Sequence, residues 1–184
     1  MYHEEVEKWT RDELLSHLKT MLLDEQANHA DTLLLAMPKS VDTSSVIGGV
    51  MRAARDTLPQ YAIDVTSKVA TQTPGIDENT FTYYGAITIL VGADRAPVVD
   101  ALIKRHATVI QRWINGHLHP FPNGDEVNTN YWIMEMLFSQ AIFSGAMPME
   151  NSNQDSSPSY WVAGVEIGLQ WTLAESAPMT LDHV

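Results

Sequence analysis

The sequence predicts one α+β domain, in which a mostly antiparallel, mixed β-sheet carries its helices on one face. Residues 80–91 alternate apolar and polar side chains, as a half-buried strand does, and residues 161–173 do the same. Residues 96–115 place apolar side chains at helical spacing. Each of these elements has one apolar face to cover, and a helix lying across a sheet covers both.

Length and composition fit a single globular domain. A chain of 184 residues buries roughly 70% of the surface that its unfolded form exposes. The acidic N-terminus and the lack of an apolar run of about 20 residues predict neither a signal peptide nor a membrane span. We expect residues 1–184 to form one domain with loose termini at 1–9 and 175–184.

Charge and cysteine content exclude two kinds of function. The net charge of −12 argues against tight non-specific DNA binding, which requires clustered Lys and Arg. The absence of cysteine excludes disulfides and thiolate chemistry. The acidity is typical of a soluble protein; a more specific interpretation is a surface that repels nucleic acid.

The first 58 residues predict two helices around a short strand. Thr10 and Glu13 form a capping-box pattern ahead of an apolar stripe, so a helix should begin there. Residues 32–37 are a short apolar run that ends at Pro38 and predicts a buried strand. Residues 42–45 can cap a second helix that ends before Pro59, although Gly48-Gly49 weakens it.

A hairpin follows. Tyr61, Ile63, Val65 and Val69 alternate with polar residues, and residues 72–79 are dense in turn formers. The strand over residues 80–91 completes the hairpin.

The region after the main helix contains two predicted loops and an ambiguous segment. Residues 117–130 and 144–159 are loops by composition. Residues 131–143 fit a strand or a helix, and their aromatic content favours the strand. The strand interpretation places one set of side chains on a common face: Trp132, Met134, Met136, Phe138 and Ile142.

The histidines are the first candidates for a metal site. His106, His117 and His119 have Asp125 and Glu126 nearby in sequence, but they lack the i, i+4 spacing of a helical ligand pair. His106 lies on the apolar stripe of the main helix and is expected in the core. We therefore predict no metal site and no cofactor.

No other pattern indicates catalysis. The chain has no Gly-x-Ser-x-Gly elbow and no phosphate-binding glycine loop. The acidic pairs Asp77-Glu78 and Asp125-Glu126 lie in polar segments and are expected to be solvated. Trp161 and Trp171 are expected in the core. The sequence therefore predicts a protein that is not an enzyme.

The order of elements resembles the tail-terminator family of long-tailed phages. Leu58-Pro59 opens a strand, a strand–helix unit spans 80–116, and an aromatic and small-residue segment at 160–173 closes the chain. The resemblance covers residues 12–173. Two features depart from the family pattern: residues 40–57 are longer and more helical than expected, and the loops at 117–130 and 144–159 are generous.

The resemblance implies a structural virion protein. Members form a ring, expected to be a hexamer, on the head-proximal end of the tail tube. The ring stops tube polymerisation and joins the tail to the head connector. The expected partners are further copies of the chain, the tail tube protein and a head–tail connector protein, with DNA passing through without specific binding. Such a protein is assembled in the host cytoplasm and resides in the virion.

Two alternatives remain open. One is another connector or neck ring protein, and the other is a metal-dependent, small-molecule-binding α+β domain. For a ring, we expect basic side chains on the outer side of the main helix to meet a neighbour's carboxylates, and the loops at 68–79 and 144–159 to contact adjacent rings. The predicted interface residues are Arg95, Lys104, Arg105, Arg112, Lys68, Asp77, Glu78, Glu150 and Asp155.

Overall fold

The structure is a computed structural model that describes residues 3–29, 33–43, 55–71, 79–116, 125–128, 131–149 and 160–175. These residues form two helices and six strands. In chain order they are α1 (His3–Ala27), β1 (Ser40–Thr43), β2 (Gln60–Thr71), β3 (Asn79–Ala93), α2 (Ala96–Gly116), β4 (Asp125–Asn128), β5 (Tyr131–Pro148) and β6 (Trp161–Glu175).

The six strands form one sheet in the order β1-β2-β3-β6-β5-β4. Only β1 and β2 run parallel, and every other neighbouring pair is antiparallel. Both helices pack on the same side of the sheet and contact each other. The fold is therefore the predicted α+β class, with a mostly antiparallel sheet and helices on one face.

The core lies between the helices and the sheet. The predicted alternation holds for β3 and β6 and for β2 as far as Val65. The apolar residues of these strands point towards the helices, and the apolar stripe of α2 covers them. The largest fully buried side chains are Trp171, Tyr61, Tyr83, Leu14, Leu18, Ile63, Ile87, Ile89, Ile103, Ile110 and Ile114. Burying apolar side chains of this size stabilises the fold by about 1.5–3 kcal/mol each.

Helix α1 begins at His3, earlier than predicted. Thr10 is not its cap: the Thr10 hydroxyl lies inside the helix and donates to the carbonyl oxygen of Val6 at 2.7 Å. The apolar stripe starts about two turns earlier than expected, because Val6 is buried in line with Leu14 and Leu18. The expectation of a loose terminus at 1–9 is wrong for residues 3–9.

The segment between α1 and β2 also differs from the prediction. Residues 33–38 are not a strand, and Leu34 is exposed. The parallel strand β1 forms after Pro38, so Asp42 and Thr43 are in the sheet and do not cap a helix. The rest of the predicted second helix, residues 44–54, lies outside the described residues. The Leu58–Pro59 peptide bond is cis.

A bulge in β2 changes which side chains face the helices. The register of β2 against β3 shifts between Val65 and Ser67. Val65 is buried as predicted, but Val69 lies opposite Thr82 and is 51% exposed, so its predicted place in the core is wrong. Helix α1 contacts the bulge directly, since the buried carboxylate of Glu7 accepts a 3.0 Å hydrogen bond from the Val65 amide.

Residues 131–143 are a strand, as the aromatic content favoured, and the strand extends to Pro148. The predicted loop at 144–159 is therefore wrong for residues 144–148, and β4 lies inside the predicted loop at 117–130. The register of β5 against β6 shifts at three places, one of them between Phe138 and Gln140. This shift turns Ile142 away from the core and places Ala141 against it.

Candidate functional site

The sheet face opposite α1 and α2 is the broadest feature that no described helix covers, and we call it the open face. Register places Thr88 of β3 beside Glu166 of β6, and Glu166 beside Ile142 of β5. Glu166 and Asp64 are exposed on this face, and Glu135 is half-buried. Across the described strands, every charged residue on the open face is acidic.

The remaining residues of the open face are uncharged. At its centre, glycine and alanine recur on β3 and β6, where Ala86 lies opposite Gly168. Thr88, Gln140 and Gln170 supply neutral polar groups. Such a surface carries negative charge at neutral pH, so it disfavours contact with another polyanion.

The sheet also has two strand edges that no described strand covers. On one side, β1 pairs with residues 60–63 of β2, which leaves residues 64–71 without a neighbour among the strands described. On the other side, β4 pairs with residues 131–133 of β5, which leaves residues 135–148 without a neighbour among the strands described. We call these the β2 edge and the β5 edge.

The β5 edge is apolar and exposed. Ile142 is 54% exposed and Met147 is 56% exposed, both on the open face, while Phe143 is 47% exposed on the helix side. A long exposed strand edge with apolar side chains is a template for pairing with another strand. Sequence patterns do not predict this feature, because the register shift between Phe138 and Gln140 decides which face these residues occupy.

The four predicted basic residues of α2 have different environments. Arg95 and Lys104 are exposed, as expected for an outer surface. Arg105 is only 8% exposed and donates to the carbonyl oxygen of Leu33 at 3.5 Å, so its prediction as an outer-surface residue is wrong. Arg112 is exposed but already forms an ion pair with Glu25 of α1.

The remaining predicted interface residues were expected in or beside loops. Lys68 lies in β2 and not in a loop, and its ammonium group is 3.8 Å from the centre of the Phe81 ring. The other four, at positions 77, 78, 150 and 155, lie outside the described residues: Asp77, Glu78, Glu150 and Asp155.

His106 is a core residue, as the helical stripe predicted. Its Nδ1 shares a 2.6 Å hydrogen bond with the hydroxyl of Tyr61, and burial lowers the pKa of His106 to about 4. His117 and His119 lie outside the described residues, and Asp125 and Glu126 are in β4. In the described part of the chain, no three His, Asp or Glu side chains come together as a metal site would require.

A groove of about 590 Å³ runs between the C-terminal halves of the two helices. Glu25 lies at its wall, almost fully buried, where it pairs with Arg112 and shares a 2.7 Å hydrogen bond with His29. Trp113 and Met21 supply apolar surface beside this pair. These ionic contacts link the two helices.

A second charged cluster lies at the turn between β3 and α2. Arg55 pairs with Asp94 at 3.2 Å, and its guanidinium lies 5.0 Å from the centre of the Tyr160 ring. Burial is the main cause that raises the pKa of Tyr160. Arg95 lines the same shallow pocket. These contacts fasten residues 55–57 and the start of β6 to the turn.

Neither described helix is long and apolar enough to cross a membrane. A scan against protein-family models finds no matching family, and a search of curated proteins finds no match.

Proposed function

We propose that this chain is a structural virion protein that caps the head-proximal end of a phage tail tube as a ring. In this role it stops tube polymerisation and forms the surface that joins the tail to the head connector. The ring is a hexamer, and DNA passes through it without specific binding. The sequence resemblance suggests this function, and the negative charge of the open face is the structural observation that supports it best.

The open face suits the lining of a DNA channel. The charged residues whose side chains are described on it are Asp42, Asp64, Glu135 and Glu166, so the described surface has no cation to hold a phosphate. Tight binding to DNA depends on Lys and Arg that displace counterions. A face that presents carboxylates and uncharged groups to a duplex does not hold its phosphates, so the DNA can slide past.

The layered fold suits a ring subunit in a second respect. In a ring, each subunit contacts its two neighbours through two different surfaces. Such head-to-tail contacts form a closed ring when the rotations between successive subunits add up to a full turn. The β2 edge and the β5 edge are different surfaces on opposite sides of one rigid sheet. The helices then lie on the outside of the ring when the open face lines its channel.

Light scattering and negative-stain imaging of the purified protein, with and without tail tubes, test the proposal. We expect rings in solution, and tubes that carry a ring at one end and no longer elongate. A protein that stays monomeric at all concentrations and does not bind tubes would contradict the function. Binding to the head-side connector but not to tubes would favour the alternative of a neck ring.

The charge of the channel can be tested separately. Glu166→Lys reverses a charge on the open face, and Asp24→Lys makes the same charge change on the exposed side of α1. We expect the Glu166→Lys protein to retain linear DNA more strongly than the Asp24→Lys protein, with a difference that fades as salt increases. Equal retention by the two variants would show that the open face does not line the channel.

A further inference from the structure

We propose that the β5 edge of one copy pairs, antiparallel, with the β2 edge of the next copy, so that the sheets of neighbouring subunits become continuous. The inference names the contact by which the proposed ring closes, and it rests on the proposed function only for that closure. Its occupant is a second copy of this chain.

Strand direction supports pairing between copies. β2 and β3, β3 and β6, and β6 and β5 are antiparallel, so β2 and β5 run in opposite directions. Copies related by rotation about an axis along the strands keep these directions. The β5 edge of one copy and the β2 edge of the next are therefore antiparallel when they meet, which gives the more favourable of the two ladders.

The positions of β1 and β4 set the stagger between copies. β1 covers one end of β2, and β4 covers the opposite end of β5. Without displacement, residues 141–144 of β5 are level with β1 of the next copy. A displacement along the strands of about six residues, or ~20 Å at 3.3 Å per residue, brings residues 64–71 of β2 against uncovered residues 140–147 of β5. A displacement of this kind is the stagger that accompanies strand tilt in closed sheets.

This stagger also matches the side chains. It places Val69 of one copy opposite Ile142 of the next, both on the open face and both about half exposed in the isolated chain. The same register places Lys68 opposite Phe143 on the helix side. Direct cross-strand pairs of apolar residues, and of a cation with an aromatic ring, each stabilise a sheet.

The lack of native cysteine allows a direct test with introduced pairs. A Val69→Cys, Ile142→Cys double variant, treated with a short thiol-reactive crosslinker such as a bis-maleimide, should give a ladder of covalent oligomers on a denaturing gel. A mixture of the two single variants should give dimers only. Each single variant alone should run as a monomer on the denaturing gel, because the contact joins two different edges and brings no two identical positions together. A Leu23→Cys variant, exposed on α1, is the matched control and should give no covalent oligomers.

The outcomes separate this inference from the proposed function. Dimers from Ile142→Cys alone would indicate two-fold pairing of β5 with itself and would overturn the inference. If the double variant forms rings but its two cysteines do not crosslink, the ring would be supported and this contact would be rejected. A crosslinked ladder from a protein that does not bind tail tubes would establish the contact and reject the tail-capping function.

A charge on the edge should block assembly. Ile142→Lys places a cation where the register puts Val69 of the neighbour, and we expect at least a tenfold rise in the concentration needed for assembly. Leu23→Lys, at an exposed position of α1, should assemble like the unmodified chain. Circular dichroism of both variants checks that each is folded. Unchanged assembly of folded Ile142→Lys protein would count against the inference.

Discussion

Tyr61 of β2 and His106 of α2 share a 2.6 Å hydrogen bond between the phenolic oxygen and Nδ1, inside the core. Both side chains are almost fully buried, and their rings meet edge to face. Burial lowers the pKa of His106 to about 4 and raises that of Tyr61, so both groups are neutral near pH 7. The pair joins the main helix to the sheet through one polar contact.

Removing the Tyr61 hydroxyl should destabilise the fold. Tyr61→Phe leaves the buried Nδ1 of His106 without this partner, and we expect the free energy of unfolding to fall by about 1–3 kcal/mol. Urea denaturation measures the change. Tyr84→Phe, at an exposed site on the open face, is the matched control and should change stability by less than about 0.5 kcal/mol. An equal effect of the two substitutions would show that the buried bond does not contribute.

His106 should make stability depend on pH between about 6.5 and 4. Its folded-state pKa, about 4, is below the unfolded value, so the unfolded chain binds the proton more readily in this range. The contribution is therefore complete above pH 6.5 and declines as the pH falls towards 4. We expect a loss of about 2 kcal/mol between pH 7.5 and 5 from this residue.

Denaturation at the two pH values, compared with His106→Gln, isolates the histidine from the carboxylates. The variant should be less stable at pH 7.5 but lose less stability on acidification. If both proteins lost the same amount, the histidine would not be the group that titrates.

Gly85 should not tolerate a side chain. A Cβ at this position would overlap the carbonyl oxygen of Asp64, beside the bulge of β2, and lie 3.0 Å from the Trp171 ring. Because the backbone is the main obstacle, Gly85→Ala should destabilise the fold by about 3 kcal/mol. Gly116→Ala is the control, since a Cβ there meets nothing within 4 Å. Thermal melts compare the two, and a small shift at Gly85 would mean that the bulge can move.

Arg112 should matter for stability and not for assembly. Arg112→Ala removes one partner of the buried Glu25 carboxylate, and we expect a loss of about 1–2 kcal/mol. Lys104→Ala, at an exposed cation of the same helix, should have little effect on the free energy of unfolding. Denaturation and sizing of both variants test this. If folded Arg112→Ala protein failed to assemble, Arg112 would be a subunit-interface residue, as the sequence predicted.

Most of the core follows from local patterns in the sequence. The alternation in β3 and β6 and the stripe of α2 identify the buried residues correctly, because each is a simple periodic signal. The predictions for Val69 and Ile142 are wrong for a common reason. Each follows a register shift, and a single extra residue in a strand sends every later side chain to the other face.

The candidate site is harder to predict than the core. Arg105 and Arg112 are charged residues on a helix, and sequence alone gives no sign that one is buried and the other paired within the chain. The β5 edge depends on how few residues β4 covers. These properties arise from contacts between segments far apart in sequence, which periodicity does not report.

The contact between Glu7 and the Val65 amide sets a limit on how the chain can be shortened. This amide lies beside the bulge of β2, and its hydrogen-bond acceptor is a helix side chain 58 positions earlier in the sequence. A fragment that starts after Glu7 would keep every strand and still leave a buried donor without that acceptor. The minimal unit that folds on its own must therefore include the first turns of α1.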